Sequence, residues 1–264
     1  MPQQDPFRLD GRVAAVVGAA SGIGEAVAVA CARQGARVAC LDQDAKGAAS
    51  VAERISADAG AAEAAALDIR DGQAVRRAFE SLRDLYGSLD VVVCTPSINV
   101  RKPVLAYTEE DLERVLTLNL KGNFNVLQAA GRIMTAQGRG SIVLFSSIRS
   151  QVVEPGQSVY AATKAGIGQL VRTAAAEFGP LGVRVNAVAP GVVETPLTAP
   201  IKAQPDWYAA YAEKNALRRW ARPEEIAEPT VFLCSDAGSY VTGSVLFVDA
   251  GWTAIDGRFQ PPGM

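Results

Sequence analysis

Val13-Ala14-Ala15-Val16-Val17-Gly18-Ala19-Ala20-Ser21-Gly22-Ile23-Gly24 is the stretch that decides how this chain folds. Five small or branched apolar residues read as a short buried strand, and the run breaks at a glycine. An Ala-rich stretch of helical character, Ile23 to Arg33, follows. Glycines at a strand-to-helix junction let backbone N–H groups approach a pyrophosphate, and the helix presents its positive N-terminus to the same anion. Gly24 further allows the helix to pack close to the sheet. Position carries this reading, because the same letters in an ordinary turn mean little. Gly18, Ser21, Gly22, Ile23 and Gly24 are thus candidate phosphate contacts.

Outward from this loop the alternation repeats. Strands are expected at Arg37 to Leu41, Ala64 to Leu67, Leu89 to Cys94, Ser141 to Phe145, Val183 to Val188 and Val245 to Val248. Helices are expected near Ala45 to Ala59, Asp71 to Tyr86, Thr108 to Gln137, Ser158 to Phe178 and Glu224 to Leu233, with Thr108-Glu109-Glu110-Asp111 as a capping-box variant. Nearly all-apolar strands joined by helix-length crossovers mean a parallel sheet covered on both faces. The expected fold class is α/β, a single doubly wound Rossmann-type domain over residues 1–264 with about seven parallel strands. Thr195 to Asn215, carrying Pro196, Pro200 and Pro205, interrupts the alternation and reads as a lid over a ligand.

Composition narrows the chemistry. With 49% apolar and 20% charged side chains in 264 residues, the chain folds rather than staying disordered. Its 26 basic and 28 acidic residues leave a formal charge of -2, so no nucleic-acid partner is expected. Histidine is absent, which excludes a Ser-His-Asp triad and any histidine base, and leaves proton transfer to Tyr, Lys, Cys or a carboxylate. Cys31, Cys40, Cys94 and Cys234 lack CxxC spacing and sit in apolar surroundings, as buried thiols of a reducing compartment do; neither disulfide nor metal is expected. Met1 to Gly11 has no apolar run of the secretory kind, and no window nears the ~18 apolar residues of a membrane span. A cytoplasmic protein without a membrane partner is the expectation.

Asp42 ends the second strand 18 residues after Gly24, where a carboxylate accepts hydrogen bonds from an adenosine ribose. Neither Ser21 nor Gln43 offers a cation to a 2'-phosphate, so the expected cofactor is NAD. Among six tyrosines, Tyr160 has a lysine, Lys164, four residues on, which places both on one helix face. A free tyrosine titrates near pKa ~10 and needs a neighbouring cation to work near neutrality. Ser146-Ser147 closes a strand 13 residues before Tyr160, and Asn119 sits in the preceding long helix.

Taken together, these motifs resemble the short-chain dehydrogenase/reductase family over nearly the whole chain. The resemblance is carried by the Gly18 to Gly24 loop, Asp68-Ile69, Asn119, Ser147, Tyr160 with Lys164, Asn186-Ala187-Val188-Ala189-Pro190-Gly191 with Thr195, and Arg222-Pro223-Glu224-Glu225. It implies that Tyr160 is the general acid/base, that Ser147 steadies the substrate oxygen, and that Lys164 holds the nicotinamide ribose and lowers the tyrosine pKa. It further implies a water on Asn119, adenine between Asp68 and Ile69, a carboxamide facing Val193 and Thr195 beside Pro190 and Gly191, and a homo-oligomer, commonly a tetramer, formed through the long helices. One motif departs: the family's usual Asn-Asn-Ala-Gly, whose first asparagine ties the central strands, is Cys94-Thr95-Pro96-Ser97 here. Asp249-Ala250-Gly251 likewise varies on a common Asp-Gly-Gly ending.

For the substrate, Arg149 lies two residues after Ser147, and Ile98-Asn99-Val100-Arg101-Lys102-Pro103 is similar to gluconate 5-dehydrogenases. Arg101 and Arg149 suit a carboxylate, with Gln157 and Trp207 as further candidate contacts. Against this, Arg149 could face solvent, an acid of the next subunit, or Glu154 nearby. Three readings follow: a secondary-alcohol dehydrogenase for a small hydroxy or sugar acid, a 3-oxoacyl thioester reductase, and a non-catalytic NAD(H)-binding regulator.

Overall fold

A computed structural model describes residues 5–58 and 60–255. The strands are β1 (Val13–Val17), β2 (Arg37–Asp42), β3 (Ala61–Ala66), β4 (Val91–Cys94), β5 (Gly140–Phe145), β6 (Val183–Pro190) and β7 (Val245–Val248). They form one sheet in the order β3-β2-β1-β4-β5-β6-β7, every neighbouring pair parallel. The chain starts at the centre, winds outward to β3, then returns to place β4 on the other side of β1, in register from Ala14↔Val91 to Val17↔Cys94. Strand order reverses at that point, and a crevice opens beyond the carboxyl ends of β1 and β4.

Helices α1 (Gly22–Arg33), α2 (Ala45–Ala57), α3 (Gly72–Tyr86), α4 (Glu109–Leu116), α5 (Asn123–Gln137), α6 (Ser158–Phe178), α7 (Ala199–Lys202), α8 (Pro205–Glu213) and α9 (Glu224–Cys234) complete the chain. Successive strand residues point to opposite faces, so Ala14 and Val16 enter one core with Val27, Val51 and Ile226 from α1, α2 and α9. Ala15 and Val17 enter the other, with Phe79, Met134 and Ile167 from α3, α5 and α6. Both faces are covered, which is why the strands read as continuous apolar runs. Truncating Phe79, fully buried, to Ala costs about 3–5 kcal/mol. All four cysteines are buried and unbonded. Among the described residues no helix is long and apolar enough to cross a membrane.

The structure departs from the sequence expectation at several boundaries, with β4 beginning at Val91 and not Leu89 and β6 running on to Pro190. Thr108 to Gln137 is not one helix: α4, opened by the reciprocal Thr108–Asp111 capping box, passes through a π-helical turn, Thr117–Gly122, before α5 begins. The third strand starts earlier, at Ala61, because it is an edge strand that gains its order from pairing with β2 from Arg37↔Ala61 onward and not from β-branched content. Helix α2 ends at Ala57, and the expected end at Ala59 lies outside the described residues, as do 1–4 and 256–264 of the expected domain.

Candidate active site

The crevice begins at the glycine loop. Gly18 has φ +86°, and a Cβ on it would overlap the Thr95 hydroxyl; a Cβ on Gly24 would overlap the Gly18 carbonyl. Both positions exclude any larger residue because strand, loop and helix touch there. Thr95 Oγ1 donates to the Val17 carbonyl at 3.1 Å, so Thr95, one residue beyond the position of the family's tying asparagine, joins the end of β4 to β1. Ser21 precedes α1 without capping it through its side chain. The first-turn amides of α1 have no intrahelical acceptor, and Gly22, Ile23 and Gly24 line the crevice. Asp42 sits opposite, one carboxylate oxygen accepting from Ala20 N at 3.0 Å and the other from Asp44 N at 2.9 Å.

A groove of about 290 Å³ is lined by Gly18, Ser21, Gly22, Ile23 and Gly24, by Asp42, Asp68 and Ile69, and by Thr195. Asp68 is gripped by Arg70 Nε at 2.9 Å and Nη2 at 2.6 Å, which holds its carboxyl below the usual range. Free helix-start amides, glycines without Cβ and a strand-end carboxylate fit a dinucleotide's pyrophosphate and ribose. Pro190 and Val193 are buried outside this groove, while Gly191 lines the neighbouring cavity. Val193 pairs with Ala221, and its carbonyl accepts the Thr198 hydroxyl at 2.6 Å, which folds the first turn after Thr195 back onto Val193.

Beside the groove stands the tyrosine. Tyr160 lies in the first turn of α6 and Lys164 one turn later. Lys164 is 2% exposed; its Nζ donates to the Phe145 carbonyl at 2.8 Å and lies 5.5 Å from the Tyr160 ring centre. Burial pushes the Lys164 ammonium down to about 8. Burial pushes the Tyr160 phenol up, and a hydrogen bond with Ser147 and then the Arg149 and Arg101 charges pull it partly back. Ser147 Oγ in turn accepts from Arg149 N at 3.2 Å. Asn119 falls within the π-helical turn. Its amide accepts from Ile98 N at 2.9 Å and donates to Ile98 O at 2.8 Å and Thr163 Oγ1 at 3.3 Å, binding the loop after β4 to α6.

Past Tyr160 lies a cavity of about 320 Å³ lined by Ser147, Tyr160, Arg101, Arg149, Gln157, Trp207 and Tyr211 among others. All four candidate substrate contacts therefore share one chamber with the tyrosine. Of the partners open to Arg149, the internal acid is the one found: Arg149, 8% exposed, donates to Glu154 at 2.6 Å. Glu154 also receives Gln157 Nε2 at 2.5 Å, the Tyr211 hydroxyl at 2.6 Å and Arg101 Nη1 at 3.3 Å. The proximity of Glu154 to Arg149 in sequence signalled that pair. Tyr211, like Trp207 and Leu197, belongs to the segment whose aromatic and apolar residues the sequence offers as a pocket wall, whereas Trp252, 5.5 Å from the Arg149 guanidinium, comes from a distant segment that carries no such signal.

A glycine-rich strand-to-helix loop set beside a buried phenol and a buried ammonium is the arrangement of a dinucleotide-dependent oxidoreductase. A family model described as Enoyl-(Acyl carrier protein) reductase matches residues 18–253, and the chain belongs to the short-chain dehydrogenase/reductase family, whose dehydrogenases act on CH–OH groups. It is 38% identical over 247 residues to a 3-oxoacyl-(acyl-carrier-protein) reductase of Thermotoga maritima, covering 93% of this chain and 99% of that one. With a cis-4-hydroxycyclohexanecarboxylate dehydrogenase of Sinomonas cyclohexanicum the identity is 41% over 247 residues, covering 92% and 97%. A gluconate 5-dehydrogenase from Burkholderia cenocepacia, solved in complex with NADP and tartrate, matches with a TM-score of 0.92 at 33% identity, covering 95% of this chain and 98% of the other.

Proposed function

We propose that this protein is an NAD-dependent dehydrogenase that interconverts a secondary alcohol and a ketone on a hydroxy acid or sugar acid. The observation that carries the substrate class is the wall of the Tyr160 cavity, whose charged side chains are Arg101 and Arg149. A guanidinium in such a chamber seeks a planar anion. The compounds for which the Sinomonas and Burkholderia relatives are named are both hydroxylated carboxylates, which supports the same reading. NAD is favoured over NADP by Asp42, whose oriented carboxylate would accept from a free 2'-hydroxyl and repel a phosphate there.

The bound nicotinamide would supply hydride acceptance or donation at the reacting carbon. The chain's own residues handle the oxygen. Ser147 holds it by its hydroxyl, and Tyr160 takes its proton in oxidation or returns it in reduction. Lys164 favours the phenolate through its charge, and holds the nicotinamide ribose; Asn119 anchors a water on the proton path. At the other end Asp68 and Ile69 flank the adenine, the amides of Gly18 to Gly24 take the pyrophosphate, and Val193 and Thr195, with Pro190 and Gly191, meet the carboxamide.

A second reading, reduction of a 3-oxoacyl thioester, is favoured by the Thermotoga relative. A screen by absorbance of NADH over sugar acids, hydroxy acids, polyols and 3-hydroxyacyl thioesters separates the two. Turnover of hydroxy or sugar acids at the highest kcat/KM supports the proposal; best turnover of a thioester or a neutral polyol defeats it. We further infer a homo-oligomer, a tetramer, formed through the outer faces of α4 to α6, where Leu116, Leu120, Phe124 and Leu170 line an apolar hollow. Light scattering on the eluted protein gives its mass.

A further inference from the structure

We propose that Glu154 sets the charge this cavity selects, so that the favoured substrate bears one carboxylate rather than two or none. The inference rests on the reading of the cavity as the seat of an acid, and it concerns a residue that stands behind the cavity wall instead of on it.

Two guanidiniums, Arg101 and Arg149, face the chamber. Behind them Glu154 accepts Arg149 Nη2 at 2.6 Å, Arg101 Nη1 at 3.3 Å, Gln157 Nε2 at 2.5 Å and the Tyr211 hydroxyl at 2.6 Å. Every partner is a donor, which is the environment of an ionised carboxylate. Of the two guanidinium charges on the wall, one is thereby answered inside the protein and one remains; the Lys164 ammonium is not on the wall and donates to the Phe145 carbonyl. The neighbouring ion pairs, Lys102 with Asp111 at 2.5 Å and Lys202 with Glu194 at 2.9 Å, are each internally neutral and do not alter the sum.

Geometry leaves room for a second anion. Each arginine reaches Glu154 through a single terminal nitrogen, so the remaining N–H edge of each guanidinium is free to meet a substrate. Aromatic faces hold both groups flat: Arg101 lies 5.1 Å from the Trp207 ring centre, and Arg149 lies 5.9 Å from Tyr211 and 5.5 Å from Trp252. A first substrate carboxylate completes the neutralisation. A second would enter the chamber unpaired, and a neutral substrate would leave a guanidinium unanswered; both situations carry the cost of an uncompensated charge.

The probes are D-glucitol, D-gluconate and D-glucarate, six-carbon chains with no, one and two carboxylates. Trp207 and Trp252 flank the arginines, so tryptophan fluorescence titration reads binding whether or not a probe is oxidised. In the native protein gluconate should bind about tenfold tighter than either neighbour, the discrimination of one charge-assisted contact. Glu154→Gln should raise the glucarate-to-gluconate affinity ratio about tenfold. Arg101→Gln, at an exposed position, should move the preference toward glucitol by cancelling the remaining charge. Tyr211→Phe removes a bond to Glu154 without changing the charge, and should leave the order of the three probes as it is. An unchanged order in both charge variants overturns the role of Glu154 while the acid reading stands. Tightest binding of glucitol by the native protein, or binding of none of the three, overturns the acid reading itself.

Discussion

Thr95 stands so close over Gly18 that its hydroxyl occupies the space where a Cβ on Gly18 would lie. The two residues belong to different crossovers, and their contact fixes the distance between the strand ends from which the groove opens. Gly18→Ala is strained twice, by this overlap and by φ +86°. It should cost at least about 2 kcal/mol in urea unfolding and weaken NADH binding. Gly87, at φ +81° with open space around it, is the control, and Gly87→Ala should cost about 1 kcal/mol through its backbone alone. Equal losses at the two positions would show that Thr95 yields to the added methyl.

Asp42 orients its carboxylate through two backbone amides, one of them in the glycine loop. Steady-state kinetics with both cofactors should give NAD(H) a kcat/KM at least about tenfold above NADP(H), a difference of about 1.4 kcal/mol. Asp42→Ala should narrow that ratio, and because Ala20 N loses its acceptor, NADH itself should bind more weakly. A native preference for NADP(H) would end the NAD assignment.

Much of this was legible because the decisive signals are local. The apolar run before Gly18, the carboxylate at the end of β2 and the four-residue step from Tyr160 to Lys164 each lie within one element, where spacing determines direction. The π-helical turn at Asn119 was not legible, since one extra residue per turn leaves the surrounding apolar period intact. Nor was the convergence on Glu154, which joins residues separated by 53 and 57 positions. The departure at Cys94 to Ser97 became intelligible through Thr95, whose hydroxyl bonds Val17 across the strands. Ala250 shows the opposite case: at φ 53° it occupies a conformation that suits the glycine the family commonly has there.

Burial lowers the Lys164 pKa from 10.5 to about 8, so the fold holds its ammonium at a cost. That cost is present in full below pH 8, where the group is charged in both folded and unfolded chains. It fades as pH rises through 8 toward 10.5, where the folded chain sheds the proton first. At about 1.4 kcal/mol per pKa unit the cost is about 3 kcal/mol at most. Urea unfolding of the native protein and of Lys164→Met, from pH 7 to pH 10, should show the native protein gaining on the variant as pH rises. A constant difference would mean that the ammonium is as well solvated in the fold as outside it. The variant should have lost its activity throughout, because the charge beside Tyr160 is gone.

Tyr160 is raised by burial and lowered by Ser147, Arg149 and Arg101, and the upward influence is the larger. Oxidation of an alcohol needs the phenolate, whose fraction grows with pH, so kcat/KM for oxidation should climb from neutrality to about pH 8, above which the Lys164 ammonium that favours the phenolate is itself shed. Ketone reduction needs the phenol and should decline over the same interval. Tyr160→Phe removes the oxygen alone: NADH should still bind, while turnover falls at least about 100-fold. Arg149→Met should act in two separable ways. Loss of a charge-assisted hydrogen bond worth about 1.5–3 kcal/mol raises KM for an acidic substrate about 10- to 100-fold. Loss of a positive charge near the phenol moves the rising limb of the oxidation profile to higher pH, and this should appear with neutral alcohols as well as acids. A KM increase with an unmoved limb would confine Arg149 to holding the substrate; a moved limb without a KM increase would confine it to the tyrosine.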